Sequence, residues 1–204
     1  MAVTIPAKEP SLSTARRILT AARAALLESG FAALSTRSVA EKAGVPLSQI
    51  HYHFRSKEQL ILAMLREEND ALVKRQGEMY RLDLPLSERW NLACDYLEDD
   101  LNSGYVRVLQ EMMAAGWSSK EVCDAVRGDP IGGWTRVLTE AAEEGRKAGV
   151  DFGMFQTSEI VALVVSAFVG AESMILLGLD PDQLPLRAAL RRVGEALSVL
   201  ESSR

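Results

Sequence analysis

Residues 35–54 of the chain read STRSVAEKAGVPLSQIHYHF. The stretch contains two short segments with helical apolar spacing, and a turn at Gly44 to Pro46 separates them. Ser35 is a candidate N-cap of the first segment, Gly44 suits the left-handed residue after its end, and Pro46 suits the start of the second. Two short helices joined by a glycine-containing turn form a helix-turn-helix, so the stretch predicts this motif.

The side chains of this stretch divide into two groups. Small or apolar residues stand where the two helices must pack, and Ala40 and Gly44 allow the helices to approach closely. Donors suited to phosphate oxygens and base edges stand at the other positions. These donors are Arg37, Ser48, Gln49, His51, Tyr52 and His53.

Outward from this stretch, the apolar pattern is helical almost everywhere. Residues 1–12 contain two prolines and no apolar period, so we expect a flexible arm. The other segments repeat apolar residues at helical spacing, and none of useful length alternates as a strand does. We therefore expect an all-α protein with about nine helices, in which an N-terminal three-helix domain carries the helix-turn-helix. Helices are expected at 13–28, 36–43, 47–53, 56–79, 105–115, 118–127, 132–148, 155–177 and 185–200, with another that starts at Pro85.

Composition indicates a globular protein of the cytoplasm. The chain has 204 residues, of which 48% are apolar and 25% charged, and these values are ordinary for a folded soluble domain. Its two cysteines, Cys94 and Cys123, lack metal-site spacing and read as reduced thiols. The N-terminal residues contain no apolar segment typical of a secretory signal, so we expect a cytoplasmic location.

The net charge of −5 is unevenly distributed along the chain. Residues 1–57 hold eight lysines and arginines against three acidic residues, a net charge of +5, whereas the remaining residues carry −10. A basic head on an acidic body indicates that the head is the part that meets a polyanion.

The segment Ile160 to Leu179 is long and apolar enough to be examined as a membrane span. Glu172 interrupts it, and acidic rather than basic residues flank it, which disfavours a span. A helix that is apolar on all sides must then be covered by protein all round, and in a chain of this size a second copy is the expected cover.

Residues 16–65 closely resemble the DNA-binding domain of the tetracycline-repressor (TetR) family. The resemblance depends on Ile18-Leu19, Ala21-Ala22, Gly30-Phe31, Ser35-Thr36, Val39-Ala40, Ala43-Gly44-Val45, Ile50-His51-Tyr52-His53-Phe54, Ser56-Lys57-Glu58 and Leu60. It covers about a quarter of the chain, and the rest matches the family only in helical layout and length. His51 stands where a tyrosine is usual, and Pro46 stands where a serine is common.

The resemblance implies a ligand-responsive transcriptional regulator, expected to be a repressor. Such a regulator binds a palindromic operator as a homodimer and is released by a small-molecule effector. The resemblance also implies a DNA-binding domain at 13–57 and an effector-binding and dimerisation domain at 58–204. Transferred position by position, Thr36, Tyr52, His53 and Lys57 would contact phosphates, and Arg37 would reach a base. Leu47, Ser48 and Gln49 would read bases at the start of the recognition helix, and His51 would donate to a phosphate.

The family layout also implies an effector pocket inside the body and a dimer interface on its last two helices. Pocket candidates are Trp90, Met112, Met113, Trp117, Trp134, Phe155, Phe168 and Glu172. Interface candidates are Val161, Val164, Val165, Phe168, Ala171, Leu190, Val193 and Leu197. Glu172 stands among apolar residues, so its carboxylate needs a partner. Two remain open, a basic ligand or an arginine of the last helix (Arg187, Arg191 or Arg192) across the dimer.

Catalysis, metal binding and cofactors are not indicated. Common catalytic and phosphate-binding motifs are missing from the sequence, so we expect no enzyme. His51 and His53 would point about 200° apart on a helix and cannot share an ion, so no metal is expected. The alternative function is that of an architectural DNA-binding protein without sequence preference or effector.

Overall fold

The computed structural model describes residues 13–202, which form ten α-helices and one π-helical turn and contain no strand. The predicted all-α fold with an N-terminal helix-turn-helix is therefore confirmed. The arm expected at 1–12 lies outside the described residues. The helices are α1 (Thr14–Ala33), α2 (Thr36–Ala43), α3 (Leu47–Phe54), α4 (Lys57–Tyr80), α5 (Leu86–Ser103), α6 (Tyr105–Gly116), α7 (Lys120–Val126), α8 (Gly132–Lys147), α9 (Thr157–Leu176) and α10 (Leu186–Ser202).

The chain divides into two compact units between Met64 and Leu65. The division lies inside α4. The DNA-binding domain expected from the sequence ends earlier, at residue 57. The cause is burial, because Leu60 and Ile61 in the first part of α4 are completely buried and so belong to a packed core. Helix α4 consequently contributes residues to both units.

The first unit consists of α1 to α3 and the start of α4. Its core includes Ile18, Leu26, Val39 and Ile50, which are completely buried. Local hydrogen bonds set the ends of α2. The Ser35 hydroxyl oxygen accepts from the Ser38 amide at 3.1 Å.

The turn between α2 and α3 is held by α1. Gly44 closes α2 with a φ of 62°, in the left-handed region that favours glycine. The Arg17 guanidinium on α1 donates to the carbonyl oxygens of Ala43 at 2.7 Å and Gly44 at 3.2 Å. These bonds satisfy carbonyl groups that the end of α2 leaves without helical partners.

Helix α1 extends past the end predicted at residue 28. The predicted stop residue, Gly30, does leave helical geometry, with a φ of 76° and a ψ of 168°. One further turn follows it and reaches Ala33, so the glycine makes a kink rather than an end.

The second unit is built around the packing of α5 against α10 and of α8 against α9. Trp90 on α5 donates its indole N–H to the carbonyl oxygen of Leu190 on α10 at 2.6 Å. Its ring meets Phe168 edge to face, with centroids 5.4 Å apart. Gly194 allows the close approach of the two helices, because a Cβ there would lie 2.7 Å from the side-chain oxygen of Asn91.

Residues 127–131 form a π-helical turn between α7 and α8. The sequence predicts a break at Gly128-Asp129-Pro130, but the helical path continues through Pro130, which is buried. The wider turn accommodates a proline that has no N–H to donate, and the amide of Gly132 donates to the carbonyl oxygens of Arg127 and Asp129. The α-helix is therefore interrupted where the sequence predicts it, and a π-helical turn forms the interruption.

Glu172 on α9 is buried in the second unit, with 8% of its surface exposed. Burial raises the pKa of its carboxyl group from 4.5 to about 7, a nearby Asp100 adds to the rise, and a hydrogen bond from Gln110 opposes it. A carboxyl group with a raised pKa stabilises the fold at low pH, and this stability is lost as the pH rises from its unfolded to its folded pKa.

We expect Glu172→Gln to become progressively more stable than the natural protein as the pH rises. Between about pH 5 and about pH 8 the difference in unfolding free energy should grow by roughly 2 to 3 kcal/mol, since the natural side chain must ionise in the core. Urea unfolding at both pH values measures it. Glu140→Gln, on the exposed side of α8, is the control and should give a constant difference. A flat difference for Glu172→Gln would contradict the buried, weakly acidic carboxyl.

We expect Gly44→Ala to destabilise the protein by about 1 kcal/mol, because an alanine must take up the left-handed backbone of the turn. The added Cβ would lie 3.5 Å from the Arg17 guanidinium, an ordinary contact, so the loss is conformational. Gly77→Ala is the matched control, since Gly77 lies inside α4 with open space around it. That change should stabilise by up to about 1 kcal/mol through helix propensity. Thermal unfolding compares the two variants. Equal effects would contradict the conclusion that Gly44 is needed for its left-handed backbone.

Candidate nucleic-acid interface and effector cavity

Helix α3 presents a polar surface to solvent. Ser48, His51, Tyr52 and His53 are exposed, and Tyr52 has 80% of its surface free. Ile50, on the opposite side of the helix, is completely buried. Hydroxyl and imidazole donors that are exposed around a short helix can contact phosphates and base edges.

The rings on α3 interact with one another and with the end of the helix. Tyr52 and His53 meet edge to face with centroids 5.0 Å apart. The Nδ1 atom of His51 lies 3.3 Å from the carbonyl oxygen of Arg55. Among residues 13–202, no group of three or more histidine, cysteine or acidic side chains is arranged to hold a metal ion.

The remaining predicted DNA contacts differ in accessibility. Arg37 on α2 is exposed, while Thr36, Leu47 and Gln49 are half-buried. Lys57 has a structural partner in Phe31. Its ammonium donates to the backbone carbonyl oxygen of Phe31 at 2.7 Å and lies 4.2 Å from the centre of the Phe31 ring. These contacts join α4 to the end of α1. The phosphate contact of Lys57 stays a prediction.

The second unit contains a cavity with acidic and aromatic walls, which we call the acidic cavity. Its free volume is about 30 Å³, enough for one or two water molecules or an ammonium group. None of its lining residues is a lysine or arginine. They are Leu72, Gln76, Ala93, Leu97, Asp100, Tyr105, Val106, Leu109, Pro130, Ile131, Trp134, Phe168 and Glu172.

Asp100, one of the two carboxylates in this cavity, is already neutralised. Both of its oxygens accept from Arg75 at 2.8 Å, and the Arg75 guanidinium also lies 4.2 Å from the centre of the Tyr96 ring. Burial raises the pKa of Asp100, and the hydrogen bond and charge of Arg75 oppose the rise. The nearby Tyr105 hydroxyl donates to the side-chain oxygen of Asn69 at 3.2 Å, which leaves its own oxygen free to accept.

Glu172, the second carboxylate, has a neutral partner. The Gln110 amide donates to its Oε2 atom at 3.3 Å, and Ser173 orients that amide by donating to its oxygen at 2.8 Å. The arginine partners that the sequence suggested lie elsewhere, since Arg187 pairs with Glu98 and Arg191 with Asp95. Glu172 therefore lines the cavity of its own protomer and is absent from the outer surface of α9.

A second, apolar cavity has a free volume of about 200 Å³. We call it the apolar cavity. It is comparable in size to an engineered cavity that binds benzene. Its lining residues are Tyr80, Leu86, Trp90, Leu138, Ala141, Ala142, Phe152, Ile160, Val161, Leu163, Val164, Val193 and Leu197.

The structure separates the predicted pocket residues into three groups. Trp134, Phe168 and Glu172 line the acidic cavity, and Trp90 lines the apolar one. Met112 and Met113 line neither of the two. Trp117 is 86% exposed and Phe155 is 43% exposed, so these two face solvent and the prediction that they enclose a ligand is wrong for a single protomer.

Half of the predicted interface residues point inward. Val161, Phe168, Ala171 and Leu190 are buried in the core of their own unit and are not available to a second copy. Val164, Val165 and Leu197 pack against that core and are half-buried, and Val193 is exposed. The prediction failed for the first group because α9 is apolar on every side, which hides the direction of its core face.

The outward face of α9 and α10 carries two rows of residues, of which the sequence analysis named only Val193 as an interface candidate. On α9 the row is Leu163, Ala167, Gly170 and Met174, and on α10 it is Ala189, Val193, Ala196 and Leu200. Both rows follow the spacing that aligns residues along one helix side. In length and composition α9 would also pass for a membrane span, and 22% of its apolar window is buried in the protomer.

The missed cavity residues are polar groups that look like surface positions in the sequence. Gln76 and Asp100 stand in charged segments, and Tyr105 follows a glycine. Only the fold shows that they meet Glu172 at one cavity.

Comparisons with known proteins agree with this geometry. Residues 18–64 match the family model of bacterial regulatory proteins, tetR family. No curated protein matches the chain by sequence.

Solved structures share the fold over most of the chain. The transcriptional regulator FadR from Bacillus subtilis, in complex with stearoyl-CoA, is 17% identical with a TM-score of 0.75, over 89% of this chain and 96% of its own. A transcriptional regulator from Saccharomonospora viridis in complex with choline is 21% identical with a TM-score of 0.71, over 89% and 95%. A TetR transcriptional regulator from Legionella pneumophila is 19% identical with a TM-score of 0.73, over 91% and 99%.

The family match falls on the helix-turn-helix unit, and the similarity of fold extends through the helical body. Residues 18–64 therefore carry a DNA-binding domain of the tetR family of bacterial regulatory proteins, and the chain shares its fold with solved TetR regulators.

Proposed function

We propose that this protein is a dimeric repressor of transcription that binds a palindromic operator and releases it when a small molecule occupies the body. The observation that carries the proposal is the exposed polar surface of α3, which belongs to a helix-turn-helix in the segment that matches the tetR family model. The cytoplasm is the compartment in which such a protein would meet its operator.

The head has the chemistry that operator recognition requires. Ser48 and Gln49 stand in the first turn of α3, which is the part of a recognition helix that contacts bases. Exposed Tyr52, His53 and Arg37 provide donors for phosphates or base edges. The basic charge of residues 1–57 adds a sequence-independent attraction to DNA.

A dimer is supported by the two exposed rows on α9 and α10. Each row is apolar or small, and Gly170 has open space at the position of a Cβ, so another helix can approach it closely. Two copies that pair these helices would form a four-helix bundle with two-fold symmetry. The same symmetry would place two recognition helices about 34 to 36 Å apart, one turn of DNA, which a palindrome matches.

Helix α4 is the natural link between ligand and DNA. It begins in the first unit, and its later residues Leu72 and Gln76 line the acidic cavity. A ligand releases DNA only if it binds better to the conformation whose heads are wrongly spaced. Two of the similar structures hold stearoyl-CoA or choline, so bodies of this fold accept small molecules of unlike chemistry.

The test of the proposal is selection of duplex DNA from a random pool by the purified protein. An enriched palindrome, bound by the dimer and weakened steeply by salt, is the expected result. Salt-sensitive binding without an enriched sequence would favour the architectural alternative. Absence of binding, both directly and after refolding to remove any retained ligand, would refute a DNA-binding function.

We expect Gln49→Ala and Tyr52→Phe to affect DNA binding differently. Gln49→Ala should relax the preference at one position of each half-site by about 1 to 3 kcal/mol, because a base contact is lost. Tyr52→Phe should weaken all sequences alike by removing a phosphate donor. Titrations of matched and mismatched duplexes measure both.

Arg136→Ala, an equal loss of charge on the exposed side of α8, is the control for Arg37→Ala. It should leave operator affinity unchanged, whereas loss of Arg37 should cost at least about 1 kcal/mol. Equal effects of the two substitutions would argue against a specific contact by Arg37.

We expect Ala167→Glu to separate the dimer into monomers, because it places a charge in the middle of the exposed row on α9. Operator affinity should fall when the dimer is lost, because a monomer has one head and contacts only one half-site. Ala114→Glu, on the exposed side of α6, is the matched control and should remain dimeric. Sedimentation over a range of concentrations measures both, and an Ala167→Glu variant that stays dimeric would contradict the interface.

A further inference from the structure

We propose that the acidic cavity binds the primary ammonium group of an amine, with Glu172 as its ion-pair partner, Gln76 as a hydrogen-bond acceptor, and Trp134 and Phe168 beside its carbon chain. The inference builds on the proposed function, because it names the chemical class of the effector. The inference specifies the charge and the hydrogen-bond donors of the ligand, which the fold alone does not determine.

The first support is the charge balance of the cavity. Arg75 neutralises Asp100 through two hydrogen bonds, but Glu172 receives only the neutral amide of Gln110 among its side-chain partners. A buried carboxylate with a weak neutral partner is costly in free energy. A cation that enters the cavity would supply the missing countercharge.

The second support is independent of charge. Gln76 is 7% exposed and lines the cavity, and its side-chain oxygen has no hydrogen-bond partner. Buried polar atoms are almost always satisfied in folded proteins, so an unpaired acceptor in a cavity wall indicates a donor that arrives from outside. A ligand that bonds both acceptors needs at least two N–H or O–H donors. A primary ammonium has three N–H groups, and a trimethylated nitrogen has none.

The size and the walls of the cavity fit the same group. Its free volume of about 30 Å³ matches an ammonium head, and the rings of Trp134 and Phe168 meet edge to face with centroids 5.6 Å apart. Aromatic and aliphatic walls favour a cation with an apolar chain. A chain longer than the head must displace part of the wall.

The π-helical turn forms another part of the wall. Pro130 and Ile131 line the cavity, and the neighbouring Asp129 accepts from Arg66 on α4 at 2.7 Å. Displacement of this turn by a ligand chain would act on α4, which also reaches the first unit. The ligand would thereby bias the helix that the proposed mechanism needs to move.

The apolar cavity is the less suitable effector site despite its larger volume. Leu163 and Val193 in its lining also belong to the exposed rows on α9 and α10. A second copy placed on those rows would cover its mouth. It also lacks a charged group to select a ligand.

The experiment is isothermal titration calorimetry on the purified protein with three probes of equal chain length. These are n-hexylammonium chloride, n-hexanol and n-hexyltrimethylammonium chloride. At about pH 8, where Glu172 is ionised, n-hexylammonium should bind at least about tenfold more tightly than either of the others. Equal affinity for the alcohol would overturn the ion pair, and equal affinity for the trimethylated probe would overturn the hydrogen-bonded primary ammonium.

Variants identify the groups that recognise the probe. Glu172→Gln keeps the shape and removes the charge, so it should abolish the advantage of the ammonium over the alcohol. Gln76→Leu should raise the Tm of the free protein, because it removes an unpaired buried acceptor, and should weaken n-hexylammonium binding about tenfold. A role in folding alone would change Tm without changing affinity. Glu140→Gln on the exposed side of α8 should bind as the natural protein does, and a loss there equal to that in Glu172→Gln would indicate a general charge effect.

The binding measurement uses no DNA, so its outcome is separate from that of the proposed function. A second titration with the selected operator tests the effector role. Ammonium binding that leaves operator affinity unchanged would support the site and contradict the regulatory mechanism. Operator release by a neutral ligand that Glu172→Gln does not affect would support the mechanism and contradict the site.

Discussion

Helix α9 has more apolar surface than one protomer can bury. One side of it contributes Val161, Phe168 and Ala171 to the core, while Leu163 and Met174 on the other side remain exposed. Apolar surface of this extent costs free energy in water at about 25 cal/mol per Å². A second copy is the simplest cover, and a two-fold pair would present two recognition helices to DNA. Dimerisation and operator symmetry would therefore follow from the composition of one helix, and the core side of the same helix carries the carboxylate of the acidic cavity.

The sequence predicted the head in greater detail than the body, for a physical reason. In residues 35–54 every local signal agrees: Ser35 caps a helix, Gly44 takes a left-handed backbone, and the apolar positions face one core. Where signals conflict, prediction was less accurate. Gly30 indicated an end where α1 only kinks, and residues 127–131 form a π-helical turn where the sequence indicated only an interruption. Tertiary packing decides such cases, and it is not visible in local sequence.

The two functional sites also differ in how far the sequence predicts them. The polar residues of α3 follow from helical spacing, because a short amphipathic helix has one buried side and one free side. The cavity does not follow in that way, since it joins side chains from α4, α5, α6, α8 and α9 that are distant in sequence. Glu172 stood out because a single charge in an apolar run is conspicuous. Gln76 did not, because a glutamine between charged neighbours looks like a solvated surface residue, and only the packed structure shows its oxygen without a partner.

A buried carboxyl group gives a cavity a form of selectivity that size alone cannot. In the free protein Glu172 can relieve its burial by taking up a proton, since its pKa is raised to about 7. A neutral ligand leaves that choice unchanged and gains only apolar contacts. A cation replaces the proton, so its binding gains the interaction that the empty cavity lacks. This gain can shift a conformational equilibrium only if the cation binds the carboxylate more weakly in the DNA-bound conformation than in the other one. Because the π-helical turn lines the cavity and is joined to α4 through Asp129 and Arg66, occupancy and the position of α4 share one set of contacts. The chemistry of the ligand and the coupling to DNA would then depend on the same few side chains.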